Sequence, residues 1–238
     1  MNQKKNFLTA EWRKLIMANY AIDPSLLLPY LPANTQLDLW NGACYVSLIG
    51  FLFTNTKIKG VKVPFHSTFE EVNLRFYVTY NDHGTVRRGV VFLKEIVPKP
   101  AITLVANTFY GEHYQTLPMA HSWQQHGKTL EVAYRFKQQN WQELSVTAQL
   151  PSHAIAPGSE AEFITEHYWG YTKRKNGRVS GYEVAHPVWD TYPVLDYAIE
   201  VDFGQLYGHE FEFLRQATPT SVFLAEGSAI EVKEGGFL

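Results

Sequence analysis

The sequence predicts a mainly β fold: an antiparallel β-barrel or cone with two or three short helices and an internal cavity. Three observations lead there. Short runs rich in Val, Ile, Thr, Tyr and Phe recur between turn signals. Helical spacing is confined to short segments. The chain also carries 15 Phe, 14 Tyr and 6 Trp in 238 residues, 45% hydrophobic against 18% charged. A sheet of ten or so strands with that aromatic load is expected to close around an interior rather than lie open to water.

Taken in order, residues 15–22 read as a strand. Asp23-Pro24 then opens a short helical turn, with a carboxylate at the N-cap, proline at the first helical position, and Leu26, Leu27, Tyr30 and Leu31 to bury. Residues 36–40 and 43–53 are expected to form a hairpin across Asn41-Gly42. Residues 69–80 should pair with 87–96, residues 129–138 with 143–150, and residues 168–172 with 179–184 across Asn176-Gly177. Two segments break the β pattern. After Pro100, Ile102, Val105, Ala106 and Phe109 recur at helical spacing, and Gly111 stands where a C-cap belongs. Ser159 followed by Glu162 is a capping box ahead of Phe163 and Ile164. With no linker, repeat or low-complexity tract, residues 1–238 are expected to form a single domain.

Composition excludes several classes. Cys44 is the lone cysteine, so no intrachain disulfide or cysteine-built metal site is available. A net charge of −2 argues against a nucleic-acid binder. Residues 183–238 hold ten acids and two bases, a net −8 that leaves +6 elsewhere. That stretch is either an acidic solvated face or a surface on which a second copy docks, as in a homo-oligomer. The first residues lack the apolar core of a signal peptide, and the uncharged run 43–56 is shorter than the ~20 residues a membrane helix needs. A cytoplasmic protein with no membrane partner is expected.

The most informative strand is FEEVNLRFYV, residues 69–78. Period-2 alternation puts Val72, Leu74, Phe76 and Val78 on one face and Glu71, Asn73, Arg75 and Tyr77 on the other. If the second face looks into a closed barrel, an acid, an amide and a guanidinium form a polar strip in an apolar cavity. Arg75 would then hold a carboxylate, Asn73 would orient a carbonyl and Glu71 would move a proton. If it looks out, the strip is an ordinary wet face. Lys94, in the apolar run 90–96, is either a desolvated amine with nucleophilic character or a stem that snorkels to solvent. The nine histidines show no metal-ligand spacing, although His113, His121 and His186 could meet in space. No nucleophile elbow, phosphate loop or dinucleotide fingerprint is present, so no metal and no cofactor is expected. Lys173-Arg174-Lys175-Asn176-Gly177-Arg178 reads as a solvated hairpin tip or a phosphate contact.

Three stretches resemble the YqjF-like family of uncharacterised bacterial proteins. They are residues 71–78 followed by Gly89-Val90-Val91-Phe92, then Tyr110-Gly111-Glu112-His113-Tyr114 ending in Pro118-Met119, and His186-Pro187-Val188-Trp189. The segment from Pro24 to Asn41-Gly42 also fits. That family is similar to the acetoacetate decarboxylase-like superfamily, which implies an antiparallel barrel or cone around an internal cavity. In the decarboxylases a F/Y-x-E strand supplies a cavity glutamate, which the resemblance places at Glu71. Their Schiff-base lysine lies in a Gly-x-Pro-Lys-Lys stretch. The matching stretch here is Gly111-Glu112-His113-Tyr114-Gln115, with Tyr114 and Gln115 where the lysine pair would stand. A Schiff base needs an amine, and neither a phenol nor an amide supplies one.

Two functional readings stay open. One is an enzyme acting on a small carbonyl or carboxylate metabolite, with Arg75 as anchor, Glu71 as acid or base, and Tyr114 with His113 polarising a carbonyl. The other is a non-catalytic protein that binds such a ligand in the same cavity.

Overall fold

The computed structural model describes residues 5–174 and 176–238, and Phe109 through its backbone only. Residues 1–4, Lys175 of the basic cluster and the Phe109 side chain, which the sequence reading also used, lie outside it.

Strong β-formers and turn residues divide the described chain into β1 (Asn6–Ile22), β2 (Thr35–Leu37), β3 (Cys44–Ile58), β4 (Phe69–Asp82), β5 (Thr85–Val97), β6 (Tyr114–Thr116), β7 (Met119–His126) and β8 (Thr129–Lys137). There follow β9 (Trp141–Gln149), β10 (His153–Ala154), β11 (Trp169–Lys173), β12 (Val179–Ala185), β13 (Asp190–Tyr192), β14 (Val194–Glu200), β15 (Ser221–Lys233) and β16 (Gly236–Phe237). Three short α-helices interrupt them: α1 (Pro100–Val105), α2 (Glu160–Thr165) and α3 (Phe203–Tyr207).

The expected caps form. Asp23 accepts a hydrogen bond from the Ser25 amide ahead of a 3₁₀ turn that buries Leu27. The chain continues from α1 through a π turn, Ala106–Tyr110, and is stopped by Gly111 at φ 67°. Ser159 caps α2 through the Glu162 amide, while the Glu162 carboxylate reaches one residue further back, to the Gly158 amide. The hairpins β4–β5, β8–β9 and β11–β12 pair as the sequence predicts.

One expected hairpin does not. Asn41 and Gly42 make the tight turn, with φ 49° and 80° and Trp40 bridging Ala43, but β2 pairs with β4, Thr35 facing Tyr80 and Leu37 facing Val78. The reason is edge occupancy: β3 is already flanked by β1 and β4, whereas β4 runs on beyond β3 and leaves its last third open to β2.

Strands β15-β1-β3-β4-β5-β11-β12 form the body of one large sheet, whose far edge returns to β15 where Val184 and Ala185 face Val232 and Glu231. Two junctions, β5–β11 and β12–β15, are only two residue pairs long. The expected barrel or cone is therefore a curled sheet and not a strict barrel. A second sheet, β14-β9-β8-β7, presents Val132, Tyr134, Phe136, Leu144 and Val146 to the outer face of the first, where Ile16, Leu48, Leu74 and Phe76 join them in one core. The inner face carries its own core, with Met17, Ile49, Phe51, Tyr77 and Trp189. Both faces of the curled sheet are thus covered, which is why every residue from 71 to 78 is buried. Among the described residues no helix is long and apolar enough to cross a membrane.

Candidate functional site

Alternation on β4 sends Val72, Leu74 and Phe76 into the core shared with the second sheet, and Glu71, Asn73 and Arg75 to the inner face. Those three polar side chains are 3%, 2% and 8% exposed, which rules out the wet-face reading of the strip. Register extends the strip sideways: Asn73 faces Glu95 on β5, and Glu95 faces Tyr114 on β6. Glu112 arrives from the left-handed Gly111 just before β6.

The polar atoms meet as follows. The Asn73 amide donates to Glu71 Oε1 at 2.9 Å, and the Tyr114 phenol donates to Glu71 Oε2 at 3.2 Å. Thr172 donates to Glu112 Oε1 at 2.7 Å. Arg75 donates from Nη2 to the Ile164 carbonyl at 3.4 Å and lies 5.7 Å from the centre of the Tyr77 ring. Asn73 Oδ1, Arg75 Nε and Glu95 Oε2 are buried without a partner.

Glu71, Arg75, Glu95, Glu112 and Tyr114, joined by Tyr182, stand in the wall of a pocket of about 410 Å³. The rest of the wall is largely apolar, with Trp12, Phe53, Phe92, Ile102 and Trp189. Burial in such a wall disfavours charge on a carboxyl. It raises Glu71 to about 7, aided by the Glu112 charge and opposed by the Asn73 and Tyr114 hydrogen bonds and the Arg75 charge. Glu112 is likewise pushed to about 7, against the Thr172 hydrogen bond and the Arg174 charge. Glu95 goes well above the ordinary range, through burial and then the charges of Glu112 and Glu71. Burial and the same carboxylates hold the Tyr114 and Tyr182 phenols protonated.

At another part of the wall, His167 donates from Nε2 to Asp38 Oδ2 at 3.0 Å, and Arg88 Nε donates to the same oxygen at 2.7 Å. Burial outweighs Asp38 and lowers the His167 imidazole to about 4, so the ring is neutral. With Nε2 carrying the proton, Nδ1 is a bare, buried acceptor.

Of the residues expected from sequence, the fold brings Glu71, Asn73, Arg75 and Tyr114 together. It does not bring His113, whose side chain is exposed and whose carbonyl accepts from the Glu95 amide at 3.2 Å. Nor does it bring Lys94. A bulge in β5 sets Lys94 opposite Leu74 and Phe92 opposite Arg75, so Lys94 takes Leu74's face and donates to the Leu206 carbonyl in α3. Burial there lowers its pKa. His121 pairs with Glu70 and His186 stacks on Trp189, and among the described residues no three His, Cys, Asp or Glu are grouped to hold a metal ion. Sequence reasoning missed Glu95, Glu112, Tyr182 and His167. Glu95 and Glu112 lie within segments singled out for Lys94 and Tyr114, but only the register of β4, β5 and β6 shows that they share a wall.

Comparison with solved structures places the fold. An acetoacetate decarboxylase from Legionella pneumophila aligns over 100% of this chain and 90% of its own, with a TM-score of 0.64 and 12% identity. An acetoacetate decarboxylase-like enzyme from Sphingomonas wittichii RW1 aligns over 98% of this chain and 94% of its own, with a TM-score of 0.67 and 11% identity. The enduracididine biosynthesis enzyme MppR, solved in complex with pyruvate, covers 100% of this chain and 91% of its own, with a TM-score of 0.64 and 14% identity. At such identities the likeness is one of fold. In sequence, the uncharacterized protein YqjF of Bacillus subtilis (strain 168) is 26% identical over 183 residues, 75% of this chain and 72% of that protein. A family model described as "Uncharacterized conserved protein" matches residues 9–229, nearly the whole length. The chain belongs to that family, DUF2071.

Proposed function

We propose that the pocket binds a small oxo-acid or related carboxylate metabolite, and that Glu71 carries out proton transfer next to its carbonyl group. The observation that carries this reading is the Tyr114–Glu71 hydrogen bond at 3.2 Å, in the wall that also holds Arg75 with its Nε free. A guanidinium with free donors in an apolar wall is suited to a carboxylate. The Tyr114 phenol becomes a donor for the carbonyl oxygen once Glu71 takes a proton and releases the phenol, and Glu71, raised to about 7, is matched to exchanging protons near neutrality. A solved enzyme of similar fold holds pyruvate, which supports the ligand class.

The chemistry proposed is proton transfer rather than imine formation. Among the described residues the lysine in the pocket wall is Lys233, and its ammonium is engaged by Glu231 at 2.7 Å and Asn6 at 2.8 Å. The same observation favours the second reading, a binding protein without turnover.

Pyruvate in D₂O separates the two. Ionised Glu71 would take a methyl proton, the Tyr114 O–H would turn from the neutralised Glu71 to the enolate oxygen, and Glu71, after exchanging its proton with D₂O, would return a deuteron to carbon. Deuterium uptake is expected to exceed the buffer rate by ~10²-fold or more and to rise with pH through about 7 as Glu71 ionises. Glu71→Gln should abolish the uptake and keep binding; Arg75→Met should weaken binding by roughly 10–100-fold. Borohydride with pyruvate should leave the protein's mass unchanged. Binding without uptake selects the binding protein, and an absence of binding by any oxo-acid tested rejects both.

A further inference from the structure

A buried guanidinium and three buried carboxyl groups, those of Glu71, Glu95 and Glu112, line one pocket, and none of the three pairs with the guanidinium. Among the described residues Arg75 makes no ion pair, and its hydrogen bond runs to a backbone carbonyl. Opposite charges in an apolar wall attract strongly, so an arrangement that keeps them apart has to be imposed by the frame. Here it is. Arg75 is set opposite Phe92, while Glu95 is set opposite Asn73, two residues away along β4. The separation leaves Arg75 Nε without an acceptor and Glu95 Oε2 and Asn73 Oδ1 without a donor.

We infer that the ligand is bipolar, with a carboxylate held by Arg75 at one end and an ammonium or amidinium group held by Glu95 and Glu112 at the other. This deepens the proposed function and rests on its assignment of Arg75. An anion alone at Arg75 would leave Glu95 Oε2 without a donor and add negative charge to a wall that already holds three carboxyl groups. A cation alone at Glu95 would leave the guanidinium without a partner. A molecule with both ends meets the free donor and the free acceptors at once. The wall suits the part between them, since Phe92, Ile102 and Trp189 offer apolar surface to a methylene or ring spacer, and Tyr182 lies near Glu112 and Glu95, where a cation would sit.

The test is calorimetric titration of the full chain with ω-amino acids from glycine to 6-aminohexanoate, each beside the n-alkanoate and n-alkylamine of the same length. One amino acid is expected to bind at least ~10-fold more tightly than both of its matched partners. Glu95→Gln should erase its advantage over the alkanoate, and Arg75→Met its advantage over the amine. The glutamine matches the protonated Glu95 carboxyl in shape and charge, so the variant is expected to fold, and a thermal melt verifies it. If the alkanoate equals or beats the amino acid at every length, the bipolar ligand is overturned and the carboxylate site stands. If the alkylamine beats the amino acid at every length, the role of Arg75 falls, and the proposed function with it. Absence of millimolar binding by every probe overturns both.

Discussion

Glu112→Gln is expected to stabilise the protein by about 3 kcal/mol at pH 8 and to change little at pH 4.5. The figure follows from about 1.4 kcal/mol per pH unit between the ordinary carboxyl value of 4.5 and the folded value of about 7. Below 4.5 the carboxyl is protonated both folded and unfolded, and pH has no leverage on it. Between 4.5 and 7 the unfolded chain releases the proton while the folded chain retains it, so stability falls as pH rises. Above 7 the full cost is present. Glutamine carries no charge to desolvate, and its carbonyl still accepts from Thr172. Glu71, also at about 7, and Glu95, raised well above the ordinary range by burial, act in the same direction. His167 acts against them. Its folded value of about 4 lies below the ordinary 6.5, so it contributes stability as pH rises across that range. The wild-type profile is the balance of these trends, and the variant removes one carboxyl together with the charge by which it raises Glu71 and Glu95. Urea unfolding at pH 4.5 and 8 measures it. Equal stabilities of wild type and variant at pH 8 would mean that Glu112 is solvated in solution. A gain of this size is a large part of the ~5–15 kcal/mol that holds a domain together, and it would come with loss of the ligand's proposed cationic contact. A stabilising change that impairs binding is the signature of a functional site.

The second large effect concerns Asp38. Asp38→Ala is expected to cost about 3 kcal/mol, lowering the melting temperature by roughly 6–12 °C in a chain of this size. One carboxylate oxygen takes hydrogen bonds from both Arg88 and His167. Burial pushes the Asp38 carboxyl up, but those two partners outweigh it and hold it below the usual range. With alanine, the His167 ring, 1% exposed at its side chain, loses the partner of Nε2 while Nδ1 already has none. Arg88 is a third exposed and can turn to water, so most of the loss lies with the histidine. Asp38→Asn keeps an acceptor and should cost ~1 kcal/mol. Scanning calorimetry of the two variants gives the comparison; similar melts for Asp38→Ala and wild type would show that the Asp38–His167 bond does not hold the ring.

Much of this was legible in the sequence, for identifiable reasons. The β class, the main hairpins and the helix stops follow from local chemistry: Asn-Gly turns, Asp23 and Ser159 as caps, Gly111 at positive φ. The strip Glu71–Asn73–Arg75 is legible because alternation along one strand is local too. What was not legible depends on which strands become neighbours. Asn41-Gly42 makes its turn as expected, yet β2 goes to β4 because both edges of β3 are taken. The bulge that turns Lys94 away leaves no mark in the apolar run around it. Glu95 and Glu112 were in view as residues, but nothing local shows them converging on Glu71. The second sheet was visible as the β8–β9 hairpin alone; its flanking strands, with His121, Gln124 and Gln125 in β7 and Asp196 and Glu200 in β14, are too polar to announce themselves.

A sheet packed on both faces has a consequence for how this pocket can change over time. Residue swaps on the inner face of β4 alter what the pocket recognises and leave the outer core untouched. A residue gained or lost within β4 does something else: beyond that point it exchanges the two faces, turning Leu74 and Phe76 toward the ligand and driving Asn73 and Arg75 into the dry seam against the second sheet. Such a chain would hold charge where no water or partner can reach it. The strip on β4 is therefore free to vary in chemistry and constrained in length, so that new specificities arise most simply by substitution along the strand, and an added residue has to be absorbed by a loop or by a bulge such as the one in β5.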